Sequence, residues 1–161
     1  MTHTDTASAA VAGSPSDVFA ALVDAHARTV WLPPAGMSGR FEWFDARTGG
    51  GYRMVLVYDD PSIAGKSDAN ADIAQARFAE IEPPSRVVEE VDFVSDDPRF
   101  AGTMTMTWTI EGEGTGSRVT ITATDVPDGI SSDDHATAFT STLRNLDAYL
   151  RAEAGPRATG R

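Results

Sequence analysis

Hydrophobic and polar positions along this chain follow two periods, and the change between them marks its elements. Met104, Met106, Trp108 and Ile110 alternate with Thr103, Thr105, Thr107 and Thr109. After Gly112-Glu113-Gly114-Thr115-Gly116 the alternation returns as Val119, Ile121 and Ala123 against Thr120, Thr122 and Thr124. A two-residue period predicts strands, and the glycine-rich interval between them predicts a turn. Threonine rows suit a solvated sheet face, so the methionine and tryptophan side is expected to look inward. Two earlier segments, Phe41 to Asp45 and Tyr52 to Tyr58, flank Arg47-Thr48-Gly49-Gly50 and predict a hairpin. If Ala46 faces Gly51, Trp43 pairs with Met54 and Phe41 with Leu56 on one face, while Phe44 and Arg53 share the other. Pro61 to Asn70 is a polar loop. Asp72 to Glu82 predicts a strand in which Phe78 and Ile81, three apart, imply a bulge. Pro83-Pro84 turns the chain into a further strand, Arg86 to Val94.

The second period is helical. Phe139, Leu143, Leu146 and Leu150 fall on one face of a helix predicted from Ser132 to Glu153, with Ala136 extending the stripe. Ser131 or Ser132 caps it, Asp133 and Asp134 complement its dipole, and Gly155-Pro156 is expected to stop it. At 1.5 Å per residue it makes a rod of roughly 30 Å, enough to cross a small domain. Near the start, Ala7 to Ala12 predicts a short strand, and Ser14-Pro15-Ser16-Asp17 is a strong helix start. A second short helix, Asp24 to Trp31, runs up to Pro33-Pro34. The expected architecture is therefore α+β: a curved antiparallel sheet of about six to seven strands wrapped around a long C-terminal helix. A sheet curled around a rod rarely closes completely, and the remaining gap is the candidate pocket.

Composition narrows the functional classes. The 161 residues are enough for one core, expected over residues 7 to 153, with tails at 1 to 6 and 154 to 161. No cysteine is present, which removes disulfide and thiolate chemistry. Lys plus Arg is 13 against Asp plus Glu 24, a net charge of −11, so the field repels phosphate backbones and nucleic acid is not an expected partner. Neither a signal segment nor a membrane-length apolar run is evident, giving a cytoplasmic protein without a membrane partner as the expectation.

Four stretches carry a resemblance: Phe44 to Arg53, Ala76 to Pro83, Phe100 to Thr105, and Asp134-His135 followed by Leu143 and Leu146. In order and spacing they resemble the Activator of Hsp90 ATPase homologue 1-like proteins of the START and Bet v 1-like superfamily (SRPBCC). The resemblance spans roughly Ala7 to Glu153 and implies the helix-grip fold, with apolar small molecules held between sheet and helix. It also implies a possible homodimer, carries over no catalytic residue and no cofactor, and often places glycine where this helix has Ala138.

The inward set expected to hold a small apolar molecule is Trp43, Tyr52, Met54, Leu56, Tyr58, Met104, Met106, Trp108, Phe139 and Leu143. Methionine and aromatic side chains adapt to varied apolar ligands. Glu89 alternates with Val87, Val91 and Phe93; facing inward it would be a candidate acid or base, but the orientation expected is the one that leaves it in water. His135 is the other candidate, expected as an exposed histidine at a helix start, and His26 is expected at the surface. With His3 in the tail, the three histidines give no metal-ligand spacing. Gly65-Lys66-Ser67 lacks the earlier glycine of a phosphate loop, and the Gly112 to Gly116 run precedes a strand rather than a helix. No nucleophile motif is present, so the expectation leans away from an enzyme. The alternatives to a binding module are a cyclase, hydrolase or lyase using the same cavity, and a co-chaperone-like interaction domain.

Overall fold

The computed structural model describes residues 2 to 159 of the chain. Its elements are β1 (His3–Val11), α1 (Pro15–Leu22), α2 (Ala25–Trp31), β2 (Met37–Asp45), β3 (Gly51–Tyr58), β4 (Ala71–Glu82), β5 (Arg86–Phe93), β6 (Thr103–Glu113), β7 (Gly116–Val126) and α3 (Ser132–Thr159). The strands form one seven-stranded antiparallel sheet in the order β1-β7-β6-β5-β4-β3-β2, with β1 and β2 at its edges. This is the expected α+β helix-grip arrangement, with α3 packed against β1 and α2. Two boundaries differ from expectation. β1 already begins at His3, because Asp5 to Val11 pair with β7, so residues 3 to 6 are strand rather than tail. α3 continues beyond Gly155 and Pro156 to Thr159; Met1, Gly160 and Arg161 of the expected tails lie outside the described residues.

Local chemistry fixes the helix starts. Ser14 accepts from the Asp17 amide while the Asp17 carboxylate accepts from the Ser14 amide, a complete capping box ahead of Pro15. Asp24 caps α2 by accepting from the Ala27 amide at 3.1 Å. Ser131 caps α3, its hydroxyl accepting from the Asp134 amide at 3.1 Å. Phe139, Leu143, Leu146 and Leu150 are all buried, as the period predicts, and each contributes roughly 1.5 to 3 kcal/mol. Ala136, however, is exposed, and the stripe begins instead at His135, four residues before Phe139.

Two β-bulges set which side chains face the core. The bulge expected in β4 is present between Phe78 and Glu80, opposite Glu89 and Val88 of β5. A second, unexpected one lies in β2 between Phe41 and Trp43. The register also differs at the turn, where Asp45 rather than Ala46 faces Gly51: Phe44 opposes Tyr52, Trp43 opposes Arg53 and, across the bulge, Phe41 opposes Met54. Trp43 is therefore turned outward and is 44% exposed, while Phe41 and Phe44 take the inner face against Tyr52, with ring centroids 5.3 and 5.8 Å away. The expected inward position of Trp43 is thus corrected by the one-residue difference at the turn, since a shift of one reverses every side chain, and the bulge then keeps Phe41 on the same face as Phe44. Gly51, opposite Asp45 at the turn, allows close strand approach: a Cβ there would lie 2.1 Å from the Ala76 carbonyl oxygen.

Two tryptophans test this assignment. Trp43→Thr should change unfolding free energy by less than about 1 kcal/mol, whereas Trp108→Ala, at a site 1% exposed, should cost about 3 to 5 kcal/mol. Urea unfolding followed by circular dichroism measures both, and equal losses would contradict the register.

Candidate functional site

A cavity of about 930 Å³ lies between the sheet and the first half of α3, bounded also by the segments around Pro34, Lys66 and Phe100. Of the residues singled out from the sequence, Tyr52, Met54, Leu56, Tyr58, Met104, Met106, Trp108 and Phe139 line it. Leu143 belongs to the closed core next to it, and Trp43 lies outside. Ala138 is part of the wall, where a side chain larger than hydrogen takes up space.

The polar groups at the floor come from three elements. Glu89 is 1% exposed and lines the cavity, which corrects the expectation that it lies in water. The cause is register: Glu89 lies between Phe78 of β4 and Met106 of β6, on the face that carries Val87 and Val91. An unpaired carboxylate could not be kept there. It is paired by Arg28 of α2, whose Nη2 donates to Oε2 at 2.5 Å, and by Tyr52 of β3, whose hydroxyl donates to Oε1 at 2.6 Å. Arg28 is itself fully buried and its Nε donates to the Leu22 carbonyl at 2.5 Å. The rings of Trp31, Phe44, Tyr52, Phe78 and Trp108 surround the guanidinium, with centroids 5.4 to 5.9 Å from Cζ. Planar, weakly hydrated guanidinium tolerates such an aromatic cage better than an ammonium would. Burial alone would lower the Arg28 pKa, but the Glu89 and Tyr52 partners outweigh it and hold the cation charged. Burial and the Glu89 charge push the Tyr52 hydroxyl well above its ordinary value, so Tyr52 keeps its proton.

Arg28 was not among the residues singled out from sequence. Its spacing held the signal: Arg28 lies three residues before Trp31 on a short helix whose Ala27 and Trp31 are buried. An inward Glu89 also demands a cation within reach.

Toward the mouth, a second set of polar groups gathers. Lys66 donates to Asp72 from its backbone amide and from Nζ, both at 2.7 Å, and its ammonium lies 5.3 Å from the Phe93 ring centroid. Gly65-Lys66-Ser67, which is no phosphate loop, is thus part of the cavity rim, with Lys66 neutralised by Asp72. Tyr58 donates to Asp72 Oδ2 at 3.4 Å. His135 also lines the cavity and is 8% exposed, which corrects its expected exposure. Its Nδ1 lies 2.7 Å from Asp5 Oδ2, and its ring lies on Phe139 with centroids 4.1 Å apart. Burial of the ring lowers the His135 pKa below 6.5 despite Asp5. Burial opposes ionisation of Asp5 as well, but hydrogen bonds from His135 and Ser132 and the nearby histidine charges bring its pKa below 3.8. His26 is at the surface as expected. Among the described residues, no group of three or more His, Asp or Glu side chains could hold a metal ion, and no helix is long and apolar enough to cross a membrane.

The buried pair yields a double-mutant prediction. Glu89→Gln leaves Arg28 charged and uncompensated, and should cost about 3 to 5 kcal/mol. Adding Arg28→Met should recover a large part of that loss, giving a coupling of more than about 1 kcal/mol in denaturant unfolding. Additive losses would show that the pair does not interact. The His135 site predicts a pH dependence. A depressed folded-state pKa means that the unfolded chain binds the proton more readily, so this contribution is complete above pH 6.5 and declines as the pH falls through the folded value. His135→Gln should flatten the unfolding free energy between about pH 7 and 5; an unchanged slope would assign it elsewhere.

Comparison with known proteins agrees with this architecture. None of the curated proteins compared with the chain matches it. A crystal structure of a Chromobacterium violaceum protein is similar at 25% identity, with a TM-score of 0.81 over 91% of this chain and 96% of that one. The AHSA1 protein of Silicibacter pomeroyi is 21% identical, with a TM-score of 0.75 over 94% of this chain and 99% of that one, a likeness of fold. A Rhodobacter sphaeroides protein shares the fold at 19% identity and a TM-score of 0.74, covering 92% of each chain. The family model described as Activator of Hsp90 ATPase homolog 1-like protein matches residues 12–151, and the chain belongs to that family.

Proposed function

We propose that this chain is a binding protein for one small, mostly apolar molecule, held between the sheet and α3. The observation that carries this reading is the cavity of about 930 Å³ walled by Met54, Leu56, Met104, Met106, Trp108 and Phe139. Ligand sites of drug-sized molecules occupy about 300 to 1,000 Å³ and combine apolar walls with a few fixed polar groups. Flexible thioethers let one wall accept related shapes. The fixed polar groups at the floor are Tyr52 and Glu89. Because the Tyr52 proton is committed to Glu89, the free lone pairs of both groups accept hydrogen bonds. The ligand's inner end is therefore a donor, such as a hydroxyl or amide N–H, and its body is apolar.

Native mass spectrometry of the purified protein, followed by denaturing extraction, tests this reading. The expected result is a discrete adduct lost on denaturation, or an apolar alcohol or amide from a ligand panel that raises the melting temperature. Ala138→Phe, which fills the wall without touching the Arg28 pair, should abolish adduct and thermal shift while preserving the circular dichroism spectrum. Adduct and thermal shift retained in that variant would place binding outside the cavity. Their absence in the wild-type protein would count against the binding module.

A further inference from the structure

Asp5 and His135 stand 130 residues apart in sequence, one on the edge strand β1 and the other in the first turn of α3. Both are 8% exposed, and Asp5 Oδ2 lies 2.7 Å from His135 Nδ1. An ionised carboxylate only accepts hydrogen bonds, so Nδ1 carries the ring proton and the lone pair is at Nε2. Among the hydrogen bonds of the described residues, none engages His135 Nε2, although the ring is part of the cavity wall. Phe139 holds the ring from below. A carboxylate that fixes the tautomer of an imidazole whose ring lines a cavity, and whose second nitrogen has no hydrogen bond to another described side chain or backbone group, is the arrangement of a general base and its orienting group.

We propose that His135 Nε2 is a general base at the cavity mouth, oriented by Asp5, for an apolar substrate bearing an activated C–H bond. This rests on the cavity admitting a small molecule, as in the function proposed above. Asp5 is a positioning residue and does not touch the substrate. The C–H proton moves to Nε2, the bonding pair remains on the substrate, and the imidazolium returns its proton to the substrate or to water. The charged and titratable groups around the ring are Asp5 and His3 of β1, whose Nε2 is 3.0 Å from Asp5 Oδ2, Lys66 of the β3–β4 loop, and Asp134 of α3 itself. Lys66 is paired with Asp72, which also lines the cavity. The positive charge of Lys66, that of His3 and burial of the ring all favour the neutral imidazole a base requires, and burial is the largest of these.

The probe is 5-nitrobenzisoxazole, an apolar heterocycle with one acidic C–H. On proton transfer to the base, the C–H electron pair forms the nitrile, the N–O bond breaks, and a coloured phenoxide is released, so no co-reactant is needed. The wild-type protein should accelerate ring opening on the order of 10²-fold over buffer, with a rate that rises through a single group titrating below 6.5. His135→Gln should remove at least about tenfold of that acceleration, and Asp5→Asn should lower the rate and shift the profile. Binding of the unreactive analogue 5-nitroindazole to the wild-type protein, followed by tryptophan fluorescence, reads occupancy of the cavity separately from proton transfer.

A wild-type rate no greater than buffer, a profile without that titration, or full turnover in His135→Gln would overturn the base. The wild-type profile is decisive even if a variant fails to fold. If the analogue binds but the probe meets no base, only the base is lost. If neither the analogue nor any panel ligand binds, the binding reading is lost with it.

Discussion

A guanidinium with no access to water has to be answered inside the protein, and Arg28 imposes that condition on much of this fold. Its side chain is at 0% exposure, one Nη2 contact reaches Glu89, and its Nε reaches back to Leu22 at the end of α1. The ion therefore joins the α1–α2 turn to β5, and through the Tyr52 hydroxyl to β3. Removing a charge of this kind from water costs several kcal/mol, recovered only when geometry and hydrogen bonding are good. The five surrounding rings come from α2, β2, β3, β4 and β6, so the cage depends on most of the sheet being in register at once. Such a centre is poor at adding stability and well suited to penalising a mispaired strand. A one-residue slip of β5 that brings Val88 to the place of Glu89 would leave Arg28 without its carboxylate.

The same condition explains why the cavity has a polar floor without becoming a polar cavity. Arg28 sits behind the wall and only its partners Glu89 and Tyr52 reach the lining, so the charge is neutralised before it meets the open space. What remains at the cavity surface is a pair of oriented acceptors set among methionine and aromatic surfaces. α3 closes the other side with Phe139 and Ala138, then packs fully from Leu143 onward. The rod thus seals one half of the sheet and spans a gap over the other, which is the geometric origin of the space.

Much of this was legible in the sequence because it depends on local period. The threonine alternation of β6 and β7, the caps at Ser14 and Ser131, the stripe from Phe139 to Leu150 and the β4 bulge all follow from spacing within a few residues. What spacing could not supply was phase. Trp43 and Phe44 are adjacent large aromatics, and either satisfies an alternating pattern; the turn, where Asp45 faces Gly51, decides between them, and the β2 bulge, which has no signature in the pattern, brings Phe41 to the side of Phe44. Glu89 presented the same ambiguity, because Val88 and Val87 offer apolar residues to both faces and both are buried. Its orientation depends on a cation 61 residues away, a long-range pairing with no trace in strand periodicity. His135 was different. Four residues before Phe139 is the next position on the buried stripe, so its burial was readable from the helical period, and only its Asp5 partner was not.

Glu89 and Asp5 are both buried carboxylates paired with a basic side chain, yet their partners give them different chemistry. Arginine does not lose its proton in the accessible pH range, so the partner of Glu89 is a fixed cation. Imidazole titrates near neutrality, so the Asp5 pair changes state under conditions where the rest of the core does not. The difference is reinforced by location. The arginine pair is anchored in the sheet centre by five rings, whereas Asp5 is on an edge strand and His135 is in the first turn of a helix. Edge strands and helix ends open at lower free energy than sheet centres. The histidine pair therefore stands where the chain opens most readily, and the arginine pair where it opens least.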